Sequence, residues 1–558
     1  MLALVAALFA AAGPADPGMI LQGATVYVSA DARPRASSVL VRDGHVAFVG
    51  DPAKARAQAP EAEILDLRGA FLFPGWADAH GHLLGLGKSL ETANLREARN
   101  VADAARRMGA IAEHLPPGAW AEGRGWDQNR WPSQRFPDAR DLDVAVFDRP
   151  AAARRVDGHA LWLNSAALKA AGIDAATPDP AGGRIVRRAD ATPSGVLVDN
   201  AMELAERAMP APQPADFRRQ ILGAARACAR VGLTQVQDAS AYEPWQIAEL
   251  AGLAEREELP IRVYATVASD PKNLPEFLSR GTSVGGGSRF LTVRAIKTWA
   301  DGALGSRGAA LLSDYSDDPG NRGLLVTSAE RLNELALVAR QKGWQLWIHA
   351  IGDRGNRLAL DAFAAAEKAA PAAGPGGDRP RIEHAQVVAP DDIPRFALEH
   401  VIASVQPTHA TSDMPWAEAR VGPQRIRGAY AWQSLRKSGA RLAGGSDFPV
   451  ESENPLLGFY AAVTRQDLAG KPPGGWRPQE RLTRPEALAL FTSDAAYAAF
   501  EEHERGRIEP GMQADFTVLE ADPMTAAASR IPGIRVILTL VEGRVAHDLR
   551  HPERRAAR

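Results

Sequence analysis

Metal-ligand side chains recur along this chain in four groups and a fixed order. They are Asp78-Ala79-His80-Gly81-His82, then Lys297, then His349 and His384, then Asp447. Each lies at or near the end of a segment that reads as a β-strand. Imidazoles and a carboxylate gathered at strand ends describe a metal centre at the mouth of a barrel. The chemistry to expect there is hydrolysis by water activated on a divalent ion, such as zinc.

In Trp76-Ala77-Asp78-Ala79-His80-Gly81-His82, side chains alternate in direction along a strand, so His80 and His82 point to one side and can chelate one ion. Gly81 leaves room for the chain to turn. Lys297 closes Thr292-Val293-Arg294-Ala295-Ile296-Lys297, on the same face as Val293 and Ala295. A lysine facing a barrel interior is costly unless its charge is paired or altered. It is either in a salt bridge with Asp301 or a neighbouring carboxylate, or carbamylated to bridge two metals. His349 ends Trp344–His349, and His384 ends Pro380–His384. A single histidine there would ordinarily be a hydrogen-bonded core residue; two on successive strands after His-x-His point to ligands. Asp447 follows the pair Gly444-Gly445, where backbone and substrate can approach closely. A carboxylate there can both touch a metal and accept a proton from water.

The elements that must position these groups are legible in outline. Eight candidate strands fall at about 72–80, 232–238, 261–267, 291–298, 344–350, 380–385, 402–407 and 441–447, alternating with helical segments. The class is α/β, a (β/α)₈ TIM-like barrel spanning 74–498. The gap after the first strand is too long for one helix, so residues about 88–231 hold a large insertion over the barrel mouth. Short β-rich runs occupy 19–73 and 499–550, with a hairpin signal at Asp43-Gly44. The two chain ends together form a small β-sandwich domain.

The 558 residues are 46% hydrophobic and 24% charged, with net charge −2, which is globular and offers no basic stripe for nucleic acid. One cysteine, Cys228, excludes a disulfide framework and reads as core. The apolar run from Met1 to Gly13 is too short to span a bilayer. Residues 1–18 read as a signal peptide, which places the protein in the periplasm or outside the cell. No Lys or Arg precedes the run, and a cytoplasmic protein starting at Met19 is the alternative. Self-association into a homo-oligomer stays open.

The order His-x-His, Lys, His, His, Asp resembles that of the amidohydrolase superfamily. The flanking text is similar to its amidohydrolase 3 branch, which includes N-substituted formamide deformylases. The similar pieces include Phe73-Pro74-Gly75, Gly125-Trp126-Asp127, Asp157-Gly158-His159, Gly305-Ser306-Arg307, His349-Ala350-Ile351-Gly352-Asp353, Glu383-His384, Gln406-Pro407-Thr408-His409 and Gly445-Ser446-Asp447-Phe448-Pro449. The resemblance covers nearly the whole chain after Met19. It implies one or two metal ions per chain. His80, His82 and Asp447 would hold one ion, His349 and His384 the other, and carbamylated Lys297 would bridge them. Asp447 would move a proton from metal-bound hydroxide to the leaving nitrogen of a small-molecule amide.

Around the metal, His159 and His409 could stabilise a developing oxyanion or make structural hydrogen bonds. Trp126, Asp127 and Arg307 are candidates for binding substrate; Arg307 would meet a substrate carboxylate or an acidic loop residue. Five tryptophans in loops (Trp126, Trp131, Trp162, Trp299 and Trp416) suggest an apolar substrate group. Alternatives are an ester, lactone or cyclic-imide hydrolase on the same centre, and a catalytically silent binding protein that keeps the fold.

Overall fold

Segments such as Leu291–Trp299 and Gln345–Ala350 are apolar and buried nearly throughout, as strands paired on both sides must be. The computed structural model describes residues 16–116, 118–211, 213–285, 288–371 and 377–551. Its central sheet holds eight parallel strands: Trp76–Gly81, Leu233–Tyr242, Arg262–Ala268, Leu291–Trp299, Gln345–Ala350, Arg381–His384, Ile402–Val405 and Leu442–Gly444. They are strands one to eight below. Amphipathic helices such as Pro214–Arg230 and Asp353–Ala369 cover the outside. The result is a nearly closed (β/α)₈ barrel.

The seam between strands eight and one closes just past their ends. The Asp447 backbone N–H donates to His80 O at 2.7 Å, and the His82 N–H donates to Phe448 O at 2.8 Å. The Asp78 carboxylate ties the same seam, accepting from the Ser446 N–H at 3.1 Å and its hydroxyl at 2.6 Å. Two glycines permit this approach. A Cβ at residue 445 would lie 2.5 Å from His80 N, and one at residue 81 would lie 2.3 Å from the Phe448 ring. The sequence assigns these glycines to a chain turn and to substrate approach; the structure uses them for strand-to-strand contact instead.

The expected first strand is split. Phe71–Pro74 joins a six-stranded sheet with Thr25–Val26 and Arg35–Ala36 on one side and Phe516–Leu519, Val536–Val541 and Arg544–Asp548 on the other. A four-stranded sheet of Met19–Gln22, Ser38–Arg42, His45–Gly50 and Glu63–Asp66 packs on it around Leu21, Val39, Leu72, Phe516 and Leu538. Both ends of the chain therefore share one core. The hairpin at Asp43-Gly44 has positive φ at both residues, 49° and 74°, as a tight two-residue turn requires. The expected leader falls largely on residues 1–15, outside the described residues. Among the described residues no helix is long and apolar enough to cross a membrane.

The insertion is a folded unit with its own sheet of six strands, running from Ala93–Asn94 to Pro193–Asp199. Trp126, Trp131 and Trp162 form its aromatic centre, with ring centroids 6.1–6.5 Å apart. Its expected C-terminal limit moves back, because Pro214–Arg230 belongs to the barrel. Phe217, Ile221 and Cys228 of that helix pack in one core with Trp76 and Leu233.

One buried ion pair clamps barrel to sandwich. Arg262, on strand three, donates to both oxygens of Asp515, at 2.8 and 3.1 Å. Asp515 also accepts the Glu542 N–H at 2.7 Å. Burial raises the Asp515 pKa, but Arg262 outweighs it and holds the carboxyl below its ordinary value. Asp515→Ala strands a buried guanidinium and is expected to cost about 3–5 kcal/mol, read as a lower urea midpoint. With a depressed folded pKa, the clamp acts in full above about pH 4 and is lost as pH falls through the folded value. The wild-type midpoint should therefore fall more steeply on acidification than that of the variant.

Candidate metal centre

Strand one delivers His80 and His82 to the barrel mouth, strand six delivers His384, and the turn after strand eight delivers Asp447. The ligand atoms of His80, His384 and Asp447 lie within 4.8 Å of one another. Asp447 is 3.0 Å from His82 Nε2, 3.5 Å from His80 Nε2 and 3.6 Å from His409 Nε2. The His349 ring, from strand five, is centred 4.5 Å from that of His384. Lys297, from strand four, is 1% exposed and lines the same cavity as His82, His349 and His384. The chain thus brings together all six metal-ligand candidates read from its sequence, with His80, His384 and Asp447 the tightest group.

Partners behind the ligands fix which ring nitrogen faces the centre. His80 Nδ1 is 2.5 Å from Glu383 Oε2. Burial would raise the Glu383 pKa, but Arg381, His80 and Lys297 hold it well below the carboxylate range. An ionised carboxylate only accepts, so Nδ1 carries the proton and Nε2 is left as a free lone pair. That Nε2 is buried without a hydrogen-bond partner. His384 is set in the same way: its Nδ1 is 2.8 Å from Gln406 Oε1, while the Gln406 amide N–H donates to Ser404 O. Burial, then neighbouring positive groups, pushes His349 and His384 well below the usual imidazole pKa. Burial likewise pulls His82 down to about 4. For Asp447, burial is outweighed by the neighbouring His80 and His82, which hold the carboxyl well below its ordinary pKa. For His80, burial and Lys297 oppose a charge, but Glu383 and Asp447 outweigh them and raise its pKa. With His82, His349 and His384 held neutral and one carboxylate beside them, the donor set fits a divalent ion.

Lys297 does not take the salt bridge to Asp301. Asp301 instead accepts the N–H groups of Ala310, Ile351 and Gly352 at 2.8–2.9 Å. Among the described residues no carboxylate lies within ion-pair distance of the Lys297 amine, and burial pulls its pKa down to about 8. The backbone is also in an uncommon conformation here. His384 and Asp447 have φ of +77° and +59°, a region that costs non-glycine residues about 1–3 kcal/mol.

The insertion covers one side of this centre as a roof, and between them lies an open-mouthed cavity of about 1230 Å³. His159 hangs from the roof with Nδ1 2.6 Å from Asp199. Burial works against a charge on His159, but Asp199 outweighs it and the net shift is upward. Its ring is 5.0 Å from that of His349. His409 comes from the helix Pro407–Asp413, and its buried Nε2 has no hydrogen-bond partner. Two candidates for substrate contact are corrected. Trp126 is fully buried inside the roof, its indole N–H donating to Ala153 O at 2.7 Å. Arg307 pairs with Asp317 at 3.0 Å, the acidic loop residue, and is not on the cavity wall. Asp127 does line the cavity, where it is held by Arg155 at 2.5 Å. Three of the five tryptophans behind the apolar-substrate expectation serve the roof's own core, while Trp299 and Trp416 reach the cavity. Glu383, Gln406, Asp199 and Arg155 received no role from the sequence. Only Glu383, next to a ligand and two residues from Arg381, left a signal of charge pairing.

A parallel barrel with imidazoles, a buried lysine and an ionised aspartate at its C-terminal mouth defines a metal-dependent hydrolase. The chain belongs to the Amidohydrolase family, which matches residues 63–547. It is 34% identical over 540 residues to the amidohydrolase YtcJ of Bacillus subtilis (strain 168), covering 95% of this chain and 99% of that protein. It is 29% identical over 533 residues to the N-substituted formamide deformylase of Arthrobacter pascens, covering 92% and 95%. Among solved structures, a metal-dependent hydrolase from Pyrococcus horikoshii OT3 superposes with TM-score 0.73 at 28% identity, over 92% of this chain and 99% of that one.

Glu383 is expected to set ligand affinity without touching the ion. Glu383→Gln should weaken metal retention by about 10–100-fold in a chelator competition. Retention equal to wild type would show that His80 needs no carboxylate behind it.

Proposed function

We propose that the protein hydrolyses an amide C–N bond, in an N-formyl or N-acyl compound, at this centre. The observation that carries the reading is the ionised Asp447, within 3.0–3.6 Å of three imidazole nitrogens and facing a large cavity. Similarity to a formamide deformylase over nearly the full length supports the C–N bond as the target. Zinc suits the imidazole and carboxylate donors. His80, His82 and Asp447 would hold one ion, and His349 and His384 a second. Lys297 would lie between them as its carbamate; its depressed pKa raises the share of neutral amine, the form that adds carbon dioxide.

When bound, such an ion makes water acidic enough to attack at neutral pH and polarises the scissile carbonyl. The chain's own groups do the rest. Asp447 accepts the proton of the attacking water and passes it to the leaving nitrogen, which must be protonated to depart. His159, with Asp199 favouring its charged form, faces the carbonyl oxygen as negative charge develops. His409 offers a second ring nitrogen on the Asp447 side.

Asp447→Asn is expected to lower kcat by at least about 10²–10⁴-fold while leaving the urea midpoint within about 1 kcal/mol of wild type. Near-full activity in that variant would place the proton transfer elsewhere. Metal analysis of protein purified without chelator should give close to two ions per chain; one ion would leave Lys297 without a bridging role. Matched amides and esters assayed on zinc-loaded protein should favour amides. Faster ester or lactone turnover would move the assignment to those bonds, and no turnover on either would favour the silent binding protein.

A further inference from the structure

The roof presents a charged ceiling to the metal centre. In the strand Ala121–Trp126, side chains alternate. Ala121 packs into the roof core and a Cβ at Gly123 would meet the Met108 sulfur there, while Glu122 and Arg124 turn to the cavity; a register shift between Arg124 and Trp126, at positive-φ Gly125, returns Trp126 to the core. The neighbouring strand Ala151–Arg155 adds Arg154 to the cavity wall. Most charges in this ceiling have partners. Arg155 is held by Asp127 and Asp157, Arg154 by Glu206, and Asp199 by His159.

Arg124 is different. Its side chain makes one long hydrogen bond, from a terminal nitrogen to Val156 O at 3.4 Å. Its Nε is buried with no hydrogen-bond partner, and no carboxylate of the described residues lies within 4.0 Å of the guanidinium. Two further cations, Arg96 and Arg154, are near enough to repel it, so the charge is not neutralised locally. Burial and those two arginines pull its pKa down to about 9, against attraction from Asp447 and Asp157. Arg124 is half-buried, but its buried Nε lacks an acceptor and its guanidinium lacks a carboxylate, so it holds N–H donors over the cavity that a ligand can complete. Arg124 shares the cavity with His82, Lys297 and Asp447, which puts the ligand it would complete beside the reacting bond.

We propose that Arg124 is the anchor for a carboxylate on the substrate, so that the amide hydrolysed here is anionic. The carboxylate would take two guanidinium N–H groups side by side, the geometry at which arginine exceeds lysine. The cavity, about 1230 Å³, has room for an acylated amine with a carboxylate some bonds from the scissile carbonyl. This proposal rests on the amide-hydrolase assignment but changes the expected substrate, from an apolar amide to an acidic one. It also gives a residue of the roof the carboxylate-binding role that was one of two readings for Arg307, whose partner is the loop carboxylate Asp317.

The test compares N-formylphenylalanine with its uncharged relative N-formylphenylalaninamide, in zinc-loaded wild type, Arg124→Gln and Arg124→Lys. Both kcat/KM and calorimetric binding are read. Wild type should favour the carboxylate by at least about tenfold, carried mainly by KM. Arg124→Gln should erase that ratio, and Arg124→Lys should restore only part of it. Equal use of the two compounds by wild type, or an unchanged ratio in Arg124→Gln, would overturn the proposal. Calorimetry separates the two assignments. If neither compound is turned over, the amide assignment falls, yet carboxylate binding weakened at least about tenfold by Arg124→Gln would still support the anchor. Binding indifferent to the substitution, or absent, would remove it.

Discussion

The structure turns on a single close contact, the seam where strand eight meets strand one. The Asp447 N–H donates to His80 O there, so the bond that closes the barrel also sets the distance between the His80 imidazole and the Asp447 carboxylate. Gly81 and Gly445 exist to allow that approach, and Asp78 locks it through Ser446. Fold closure and site assembly are one event. A change that loosened the seam would spread the metal ligands before it unfolded the chain. The left-handed backbone at Asp447 is tolerated because bonds on both sides hold it.

Around the seam the barrel solves an electrostatic problem. Metal ligands must be neutral imidazoles and an ionised carboxylate, yet all but the half-buried His82 are buried. Burial alone keeps the imidazoles neutral but would also protonate the carboxylates. Arg381 and Glu383 resolve this from below. Arg381 keeps Glu383 ionised, Glu383 orients His80, and His80 with His82 keeps Asp447 ionised. Arg381 is accommodated there because Ala79 O, Ser404 and Gln237 also accept from it and Trp347 lies under its guanidinium, 3.7 Å from the ring centroid. Each ion in the chain of contacts compensates the desolvation of the next.

The roof contributes differently. Its tryptophans stabilise the inserted unit, which must hold itself together because it leaves and rejoins the barrel at one corner. Once that core is satisfied, the sheet face left over is polar and looks at the metal centre. His159 and Arg124 come from this face. The barrel thus supplies the clustered imidazoles and carboxylate, and the insertion supplies the charged face opposite them, a division common where loops vary on a rigid scaffold.

The sequence by itself determined the barrel, its eight strands within a few residues, and the six ligand candidates at strand ends. It could do so because those features are local: alternation, apolar runs and residue type at a strand's last position. It also carried the hairpin at Asp43-Gly44, where turn chemistry is local too. What only the tertiary structure decided was direction and company. Phe71–Pro74 and Trp76–Gly81 read as one strand, yet they belong to different sheets, because pairing partners lie hundreds of positions away. Trp126 and Arg307 sit in text suited to a binding site, yet one faces the roof core and the other a loop carboxylate. Asp199, Gln406 and Arg124 acquire meaning only once the fold sets what each faces. A partner is a property of three-dimensional neighbours, and no spacing along the chain encodes it.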